Sequence, residues 1–315
     1  MALKERPKIA VRVGSVNAGH TVVYKGNMYK LRMVPSAFLI PETKLLIGAG
    51  ANVDPKVFLN EVNMLDVEGR IFVDGNASVI EPRHIDADKG TDFFREFIGT
   101  TGTGVSPAIV DRVARKAKLV RDIPELSKYV TDVSEEVNSA LDRGEIVHIE
   151  GTQGLYLSLY YGTYPYVTGR DTTAAAVCSE VGVGPKRVDE VILVLKSFVT
   201  RVGKGPLENE LSPEEAERRG FVERGTVTGR LRRAAPFNFQ MAKRACRVNG
   251  ATQIAVTKLD VLFPECSKAK TKESLSERCL KFLKKVQDET GVPVTIVGTG
   301  PDAEDTVYLG PEGVE

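Results

Sequence analysis

Short β-branched apolar runs alternate with longer amphipathic stretches along this sequence, and no other feature constrains its fold as tightly. The runs lie at 9–13, 45–47, 71–73, 146–149, 191–195, 254–257 and 294–297. Their length and the turn residues around them read as buried strands. Between them, 55–65, 107–119, 123–143, 237–249 and 272–290 carry apolar residues at helical spacing. Strand and helix taking turns predict an α/β protein whose central, mostly parallel sheet is flanked by helices. A hairpin signal, 21–24 and 28–33 joined across Lys25, Gly26 and Asn27, predicts that the sheet is mixed. No repeat, low-complexity tract or Pro/Ser-rich linker marks a boundary, so 1–315 is expected to form a single domain with loop insertions.

Composition narrows the function. With 43 basic against 42 acidic side chains and no block of like charge, a sequence-independent grip on nucleic acid is not expected. No apolar run approaches the ~20 residues of a membrane span, and the start Met-Ala-Leu-Lys-Glu-Arg lacks an apolar signal core. The expectation is a cytoplasmic protein without a membrane partner. Cys178, Cys246, Cys266 and Cys279 stand apart with no C-x-x-C pair, which reads as reduced thiols rather than a zinc site or disulfide framework.

The chemistry is expected in the glycine-rich loops, because ordered loops at strand ends are where α/β proteins bind ligands. In Val-Asn-Ala-Gly-His-Thr-Val-Val, 16–23, His20 follows a glycine turn and can donate a proton or hydrogen bond to a phosphate. His84 and His148 lack any metal-site spacing and read as structural. Gly99-Thr-Thr-Gly-Thr-Gly precedes a helix, where backbone N–H groups can meet a phosphate; an ordinary capped helix is the alternative. It follows a helical segment rather than a strand, so a dinucleotide-binding reading fails. Glu150-Gly-Thr-Gln-Gly and Gly162-Thr-Tyr-Pro-Tyr-Val-Thr offer amide, hydroxyl and phenol groups suited to a neutral polar ring, or to a buried loop with satisfied hydroxyls. Gly225-Thr-Val-Thr-Gly-Arg-Leu-Arg-Arg brings three guanidinium groups suited to carboxylate or phosphate. Val256-Thr-Lys-Leu-Asp, at a strand end, resembles the guanine-reading motif of GTP-binding proteins; the Asp260 carboxylate can accept from both the ring N–H and the exocyclic amine of guanine.

Seven segments in order, Asn17-Ala-Gly-His-Thr-Val-Val, Gly99-Thr-Thr-Gly, Gly162-Thr-Tyr-Pro-Tyr-Val-Thr, Arg201-Val-Gly-Lys-Gly-Pro, Thr228-Gly-Arg, Thr257-Lys-Leu-Asp and Thr299-Gly-Pro, resemble those of adenylosuccinate synthetases, and the length is similar to the short archaeal-type branch. The resemblance runs from about residue 8 to the end. It implies GTP-dependent ligation of inosine monophosphate (IMP) and L-aspartate through 6-phosphoryl-IMP, with Mg2+ as metal. It also implies the roles. His20 would be the proton donor and the Gly19 carbonyl a magnesium ligand, while Asn17, Ala18, Gly19, His20, Thr101, Gln153, Thr168 and Arg230 would hold IMP. Arg115 would reach the IMP of a partner subunit, which implies a homodimer. Thr226, Val227, Thr228, Gly229, Arg230, Leu231 and Arg232 match the aspartate loop. Arg232, Lys258, Leu259, Asp260, Gly298, Thr299 and Gly300 match the GTP site.

Departures are Thr103 and Gly298, where family members carry arginine and serine, and Val227, where they carry a hydroxyl. The family also opens with a strand and a Gly-Asp-Glu-Gly-Lys-Gly phosphate loop that bears the aspartate base, whereas eight residues precede Ile9 here. The expectation is therefore a P-loop-NTPase-like synthetase fold lacking its first strand, from a misassigned start, and a chain inactive or impaired as written. Two alternatives stay open: a non-catalytic nucleotide-binding relative, and a synthetase for a related purine monophosphate.

Overall fold

The computed structural model describes residues 1–314, in two compact units: Met1–His20 with Lys30–Val188, and Thr21–Tyr29 with the chain from Asp189 onward. In the first unit five parallel strands lie in the order Val130–Thr131, Ile71–Asp74, Lys44–Ile47, Ile9–Arg12, Val147–Glu150. Ile9–Arg12 is buried along its whole length, as a strand covered on both faces must be, which is why it is apolar up to its final Arg12. Val11, Val13 and Leu46 form one core with Val133, Val137 and Ala140 of the helix Val133–Asp142 and Val181 of Ala174–Val181.

The second unit holds three parallel strands, Ile192–Lys196, Gln253–Thr257 and Val294–Gly298, with Thr306–Tyr308 antiparallel at the edge. A mostly parallel, mixed α/β architecture is thus present, and all seven predicted strands form, with ends shifted by a residue or two. The hairpin pairs His20–Tyr24 with Asn27–Leu31. Lys25 and Gly26 turn it at φ 49° and 79°, the left-handed pair that a two-residue hairpin turn requires.

Helix ends follow side-chain chemistry. Asp54 accepts from the N–H groups of Lys56 and Val57 at 3.0 and 3.1 Å, and Pro55 occupies the first helical position, so Pro55–Leu65 forms as predicted. The stretch 123–143 is instead broken into a 3-10 turn Pro124–Tyr129, the strand Val130–Thr131 and the helix Val133–Asp142. Asp132 accepts from the Glu135 N–H and starts that helix afresh, while Val130 joins the sheet edge. The stretch 107–119 likewise shortens to Val105–Val113, and 272–290 to a turn plus Glu277–Thr290 capped by Ser276. No helix of the described residues is long and apolar enough to cross a membrane.

Candidate functional site

The C-terminal ends of two neighbouring strands organise the first unit. Arg12 and Glu150 are the last residues of Ile9–Arg12 and Val147–Glu150 and are register partners. Arg12 is 2% exposed; its Nη1 pairs with Glu150, its Nη2 donates to the Ala18 carbonyl at 2.6 Å and its Nε to the Arg32 carbonyl at 3.3 Å. Glu150 also accepts from the Ser36 N–H and Oγ at 2.9 and 2.8 Å, and lies 3.0 Å from His20 Nδ1. Burial alone would raise the Glu150 carboxyl, but Arg12 and His20 outweigh it and hold it well below the usual carboxylate range. The second imidazole nitrogen, His20 Nε2, is buried without a hydrogen-bond partner.

Gly14 leaves the strand beside this cluster. A Cβ there would sit 2.7 Å from Thr152 Cγ2 and 3.0 Å from the Arg12 guanidinium, so the close approach requires glycine. Asn17, Ala18 and Gly19 form the half-buried turn that follows. Arg170, mostly buried, donates to the Val13 carbonyl and pairs with Glu180; burial, then the neighbouring Arg12, push its guanidinium down to about 10. Gly169 packs against Ile109 and Ser106 of the helix that follows the Gly99–Gly104 loop.

Predicted IMP residues of the first unit meet in local pairs. Gln153 Nε2 donates to Thr168 Oγ1 at 3.0 Å. Thr101 and Thr103 hydroxyls are 3.0 Å apart. The loop is held from beneath by Asp88, 1% exposed, which accepts from Thr100 Oγ1 at 2.8 Å and Gly104 N–H at 2.9 Å. Arg115 lies apart from this cluster in sequence and environment, exposed on a left-handed turn after Val105–Val113. His84 is a cap: its Nδ1 accepts the Glu81 N–H at 3.0 Å, so its Nε2 donates to Asp111 Oδ2 at 3.0 Å.

The second unit gathers the other motifs. Thr226–Arg232 forms a tight loop in which Gly225 N–H donates to the Arg230 carbonyl and Gly229 N–H to the Gly225 carbonyl, at 2.9 and 2.8 Å. Val227 is half-buried and Leu231 is exposed on it, and the Arg230 N–H reaches Thr228 Oγ1 at 3.3 Å. Lys258 starts the turn Leu259–Leu262 in a left-handed conformation, its carbonyl accepting from Ser197 Oγ at 2.6 Å, with Leu259 buried and Asp260 half-buried. Thr299 is fully buried and donates to the Ala269 carbonyl at 2.8 Å, and a Cβ on Gly300 would collide with the Asp305 carboxylate. At Gly298 a Cβ would meet Thr257 at an ordinary 3.4 Å, so the family's serine would fit.

Four residues outside the predicted set join these motifs. Arg12 and Glu150 bind the His20 turn; Lys196 and Glu223 bind the arginine loop to Lys258. Glu223 lies 2.9 Å from Lys196 Nζ and 3.8 Å from both Arg232 Nε and Lys258 Nζ. Arg232 Nε is buried without a hydrogen-bond partner. Only the strand-end positions of Arg12, Glu150 and Lys196 hinted at this in the sequence; Glu223 carried no signal. Among the described residues no group of three or more His, Cys, Asp or Glu side chains could hold a metal ion. Magnesium takes few protein ligands beside substrate phosphates and water, and the half-buried Gly19 carbonyl fits such a site.

The family model for adenylosuccinate synthetase matches residues 2–126 and 118–267. The adenylosuccinate synthetases of Methanosphaera stadtmanae and Methanocaldococcus jannaschii are 50% and 53% identical to this chain over 310 residues, covering 97% of it and 91% and 90% of themselves. Among solved structures, fully ligated adenylosuccinate synthetase from Plasmodium falciparum matches with a TM-score of 0.89 at 23% identity, over 97% of this chain and 94% of its own, a likeness of fold. The succinoaminodeoxyadenylate synthetase of cyanophage S-2L, bound to dGMP and to dATP as an energy donor, matches with a TM-score of 0.80 at 26% identity, over 98% of this chain and 88% of its own.

Proposed function

The chain belongs to the adenylosuccinate synthetase family, and from that premise we propose that His20 is its proton donor and that the motif residues described above hold its three substrates. The family consists of GTP- and Mg2+-dependent ligases of purine biosynthesis that convert IMP and L-aspartate to adenylosuccinate on the way to AMP. The 6-oxygen of IMP takes the γ-phosphoryl group of GTP to give 6-phosphoryl-IMP, and the aspartate amine then displaces phosphate. Catalysis of this kind is chiefly positioning and charge stabilisation.

The observation that carries the reading is the state of His20: Nδ1 is engaged, and the buried Nε2 has no protein partner. A hydrogen on Nε2 would stabilise the transferring phosphoryl group and the leaving GDP. Asn17, Ala18, Gly19, Thr101, Gln153, Thr168 and Arg230 are assigned to IMP, 226–232 to aspartate, and Arg232, 258–260 and 298–300 to GTP. Magnesium, when bound, neutralises phosphate charge, with the Gly19 carbonyl as its ligand from this chain. Arg115 is assigned to the IMP of the other subunit of a homodimer; Val110 and Val113, 62% and 74% exposed on the preceding helix, give a second copy an apolar surface to cover. Residues 1–315 would act as one synthetase in the cytoplasm.

Protein that carries the family's phosphate loop and its aspartate base, given IMP, aspartate, GTP and magnesium, should form adenylosuccinate and GDP, and His20→Asn in it should lower kcat on the order of 100-fold or more. Undiminished turnover by that variant would remove His20 from the chemistry. Asp260 favours guanine over adenine by about 1–3 kcal/mol for each mismatched buried group, so ATP should be a poor donor. Faster turnover of dGMP with dATP would instead move the chain to the reaction of the phage enzyme.

A further inference from the structure

We propose that Glu150 is a positioning residue for phosphoryl transfer: it faces His20 Nδ1, keeps the hydrogen on that nitrogen and the ring in place, and leaves the proton to be donated on Nε2, facing the substrate. This rests on the reading of His20 as the donor. An ionised carboxylate only accepts hydrogen bonds. At 3.0 Å from Glu150 Oε1, His20 Nδ1 is the ring nitrogen that faces the acceptor and so the one placed to carry a hydrogen, which leaves any second ring proton to Nε2.

The carboxylate is itself held by three donors from two residues. Ser36 donates twice to Oε2, at 2.9 Å from N–H and 2.8 Å from Oγ. Arg12 binds Oε1 with one guanidinium nitrogen and the Ala18 carbonyl with the other, the latter at 2.6 Å. One buried side chain thus fixes both the acceptor of the imidazole and the main chain two residues before it. Arg12 and Glu150 also end paired parallel strands, so their backbones are registered by the sheet. If Glu150 served only to neutralise Arg12, nothing would require the remaining geometry: the same oxygen that meets Arg12 also meets Nδ1, and the other nitrogen of that ring is the one buried polar atom of the cluster without a partner.

The first test reads the wild-type protein and uses variants only to assign its signals. The chain has three histidines, His20, His84 and His148, so long-range 15N–1H spectra of histidine-labelled full-length protein can be assigned by replacing each in turn. His20 should show a protonated Nδ1; a bare Nδ1 overturns the proposal. The second is a kinetic cycle. Glu150→Gln should lower kcat on the order of 100-fold with little change in KM for IMP or GTP. In a His20→Ala background it should lower kcat no further. A loss of kcat that simply multiplies with that of His20→Ala makes Glu150 a structural residue and overturns the proposal, as does a harmless Glu150→Gln alongside a costly His20→Ala. A harmless His20→Ala would instead strike the donor reading itself. Should Glu150→Gln fail to fold, the wild-type spectrum decides alone.

Discussion

In each unit one acidic side chain gathers the motif residues, Glu150 in the first and Glu223 in the second, and the two hubs differ in how fully they are satisfied. Glu150 meets one guanidinium, one imidazole and two donors of Ser36, every neutral contact at hydrogen-bond distance. Glu223 faces three cations, Lys196, Arg232 and Lys258, two of them at 3.8 Å. A closed network holds one geometry, which suits a group that must point at a reacting atom. An open network with surplus positive charge leaves donors such as Arg232 Nε available, which suits the uptake of an anionic substrate. The same residue type thus serves orientation in one unit and charge balance in the other.

The largest expected effect breaks the closed hub. Arg12→Met leaves Glu150 without its main counter-charge, and losing one partner of a buried pair costs about 3–5 kcal/mol. Urea unfolding should register that loss, whereas Glu223→Gln, which removes one negative charge from a cation-rich cluster, should cost clearly less. Equal losses would erase the distinction between the hubs.

Acid should separate them next. Burial would raise both carboxyls, but Arg12 and His20 at Glu150, and Lys196 with Lys258 and Arg232 at Glu223, reverse the sign and hold both below their ordinary values. A depressed folded pKa means the contribution is fully present above the unfolded value near ~4.3 and is lost as pH falls below it toward the folded value. Glu150 is held further down, so Glu150→Gln should flatten the loss of stability between about pH 5 and pH 2 more than Glu223→Gln does, by on the order of 1–2 kcal/mol after allowance for solvent screening. Unfolding curves across that range would decide it; identical slopes would mean the two carboxylates are equally coupled to folding.

The third effect should appear in the second unit alone. Removing the Glu223 charge frees Arg232 and Lys258, so the KM for GTP or aspartate should fall roughly 2–5-fold in Glu223→Gln, an amount in keeping with partly exposed ion pairs. Glu150→Gln should leave those KM values nearly unchanged. A rise in KM in Glu223→Gln would show that Glu223 shapes the cation cluster rather than balancing it.

The two hubs were unequally legible in the sequence. His20 could be singled out because a glycine turn precedes it and a hairpin follows, and Asp260 because its motif ends a strand. Their supports could not. Glu150 was visible only as the tail of an apolar run, and His20 lies 130 positions away from it; the parallel pairing of Ile9–Arg12 with Val147–Glu150 is what brings them together. Glu223 sits between a helix and a loop with no periodic pattern to mark it, and meets Lys196 and Lys258 only through tertiary packing. Strands survived the reading because β-branched runs of this length have few other uses. The stretch 123–143 did not, because helical spacing cannot reveal a two-residue strand or the Asp132 side chain that restarts the helix.

The smallest effect probes how loosely the open region is tied. Thr21 and Thr226 hydroxyls approach at 3.4 Å on an exposed surface, joining the hairpin to the arginine loop within the second unit. A long, solvated hydrogen bond contributes no more than about 0.5 kcal/mol. Thr21→Val should therefore shift stability by less than that and change the aspartate KM by under about 2-fold, in contrast to any change at Arg12. The hairpin has a second attachment that the substitution leaves alone: the Gly26 N–H donates to Asp302 at 3.3 Å and the Ala303 N–H to the Val23 carbonyl at 2.7 Å. Aspartate titrations of the two proteins under identical salt would read the difference. A KM change many times larger would mean that this hydroxyl pair sets the position of the loop, and that the second unit is held as tightly as the first.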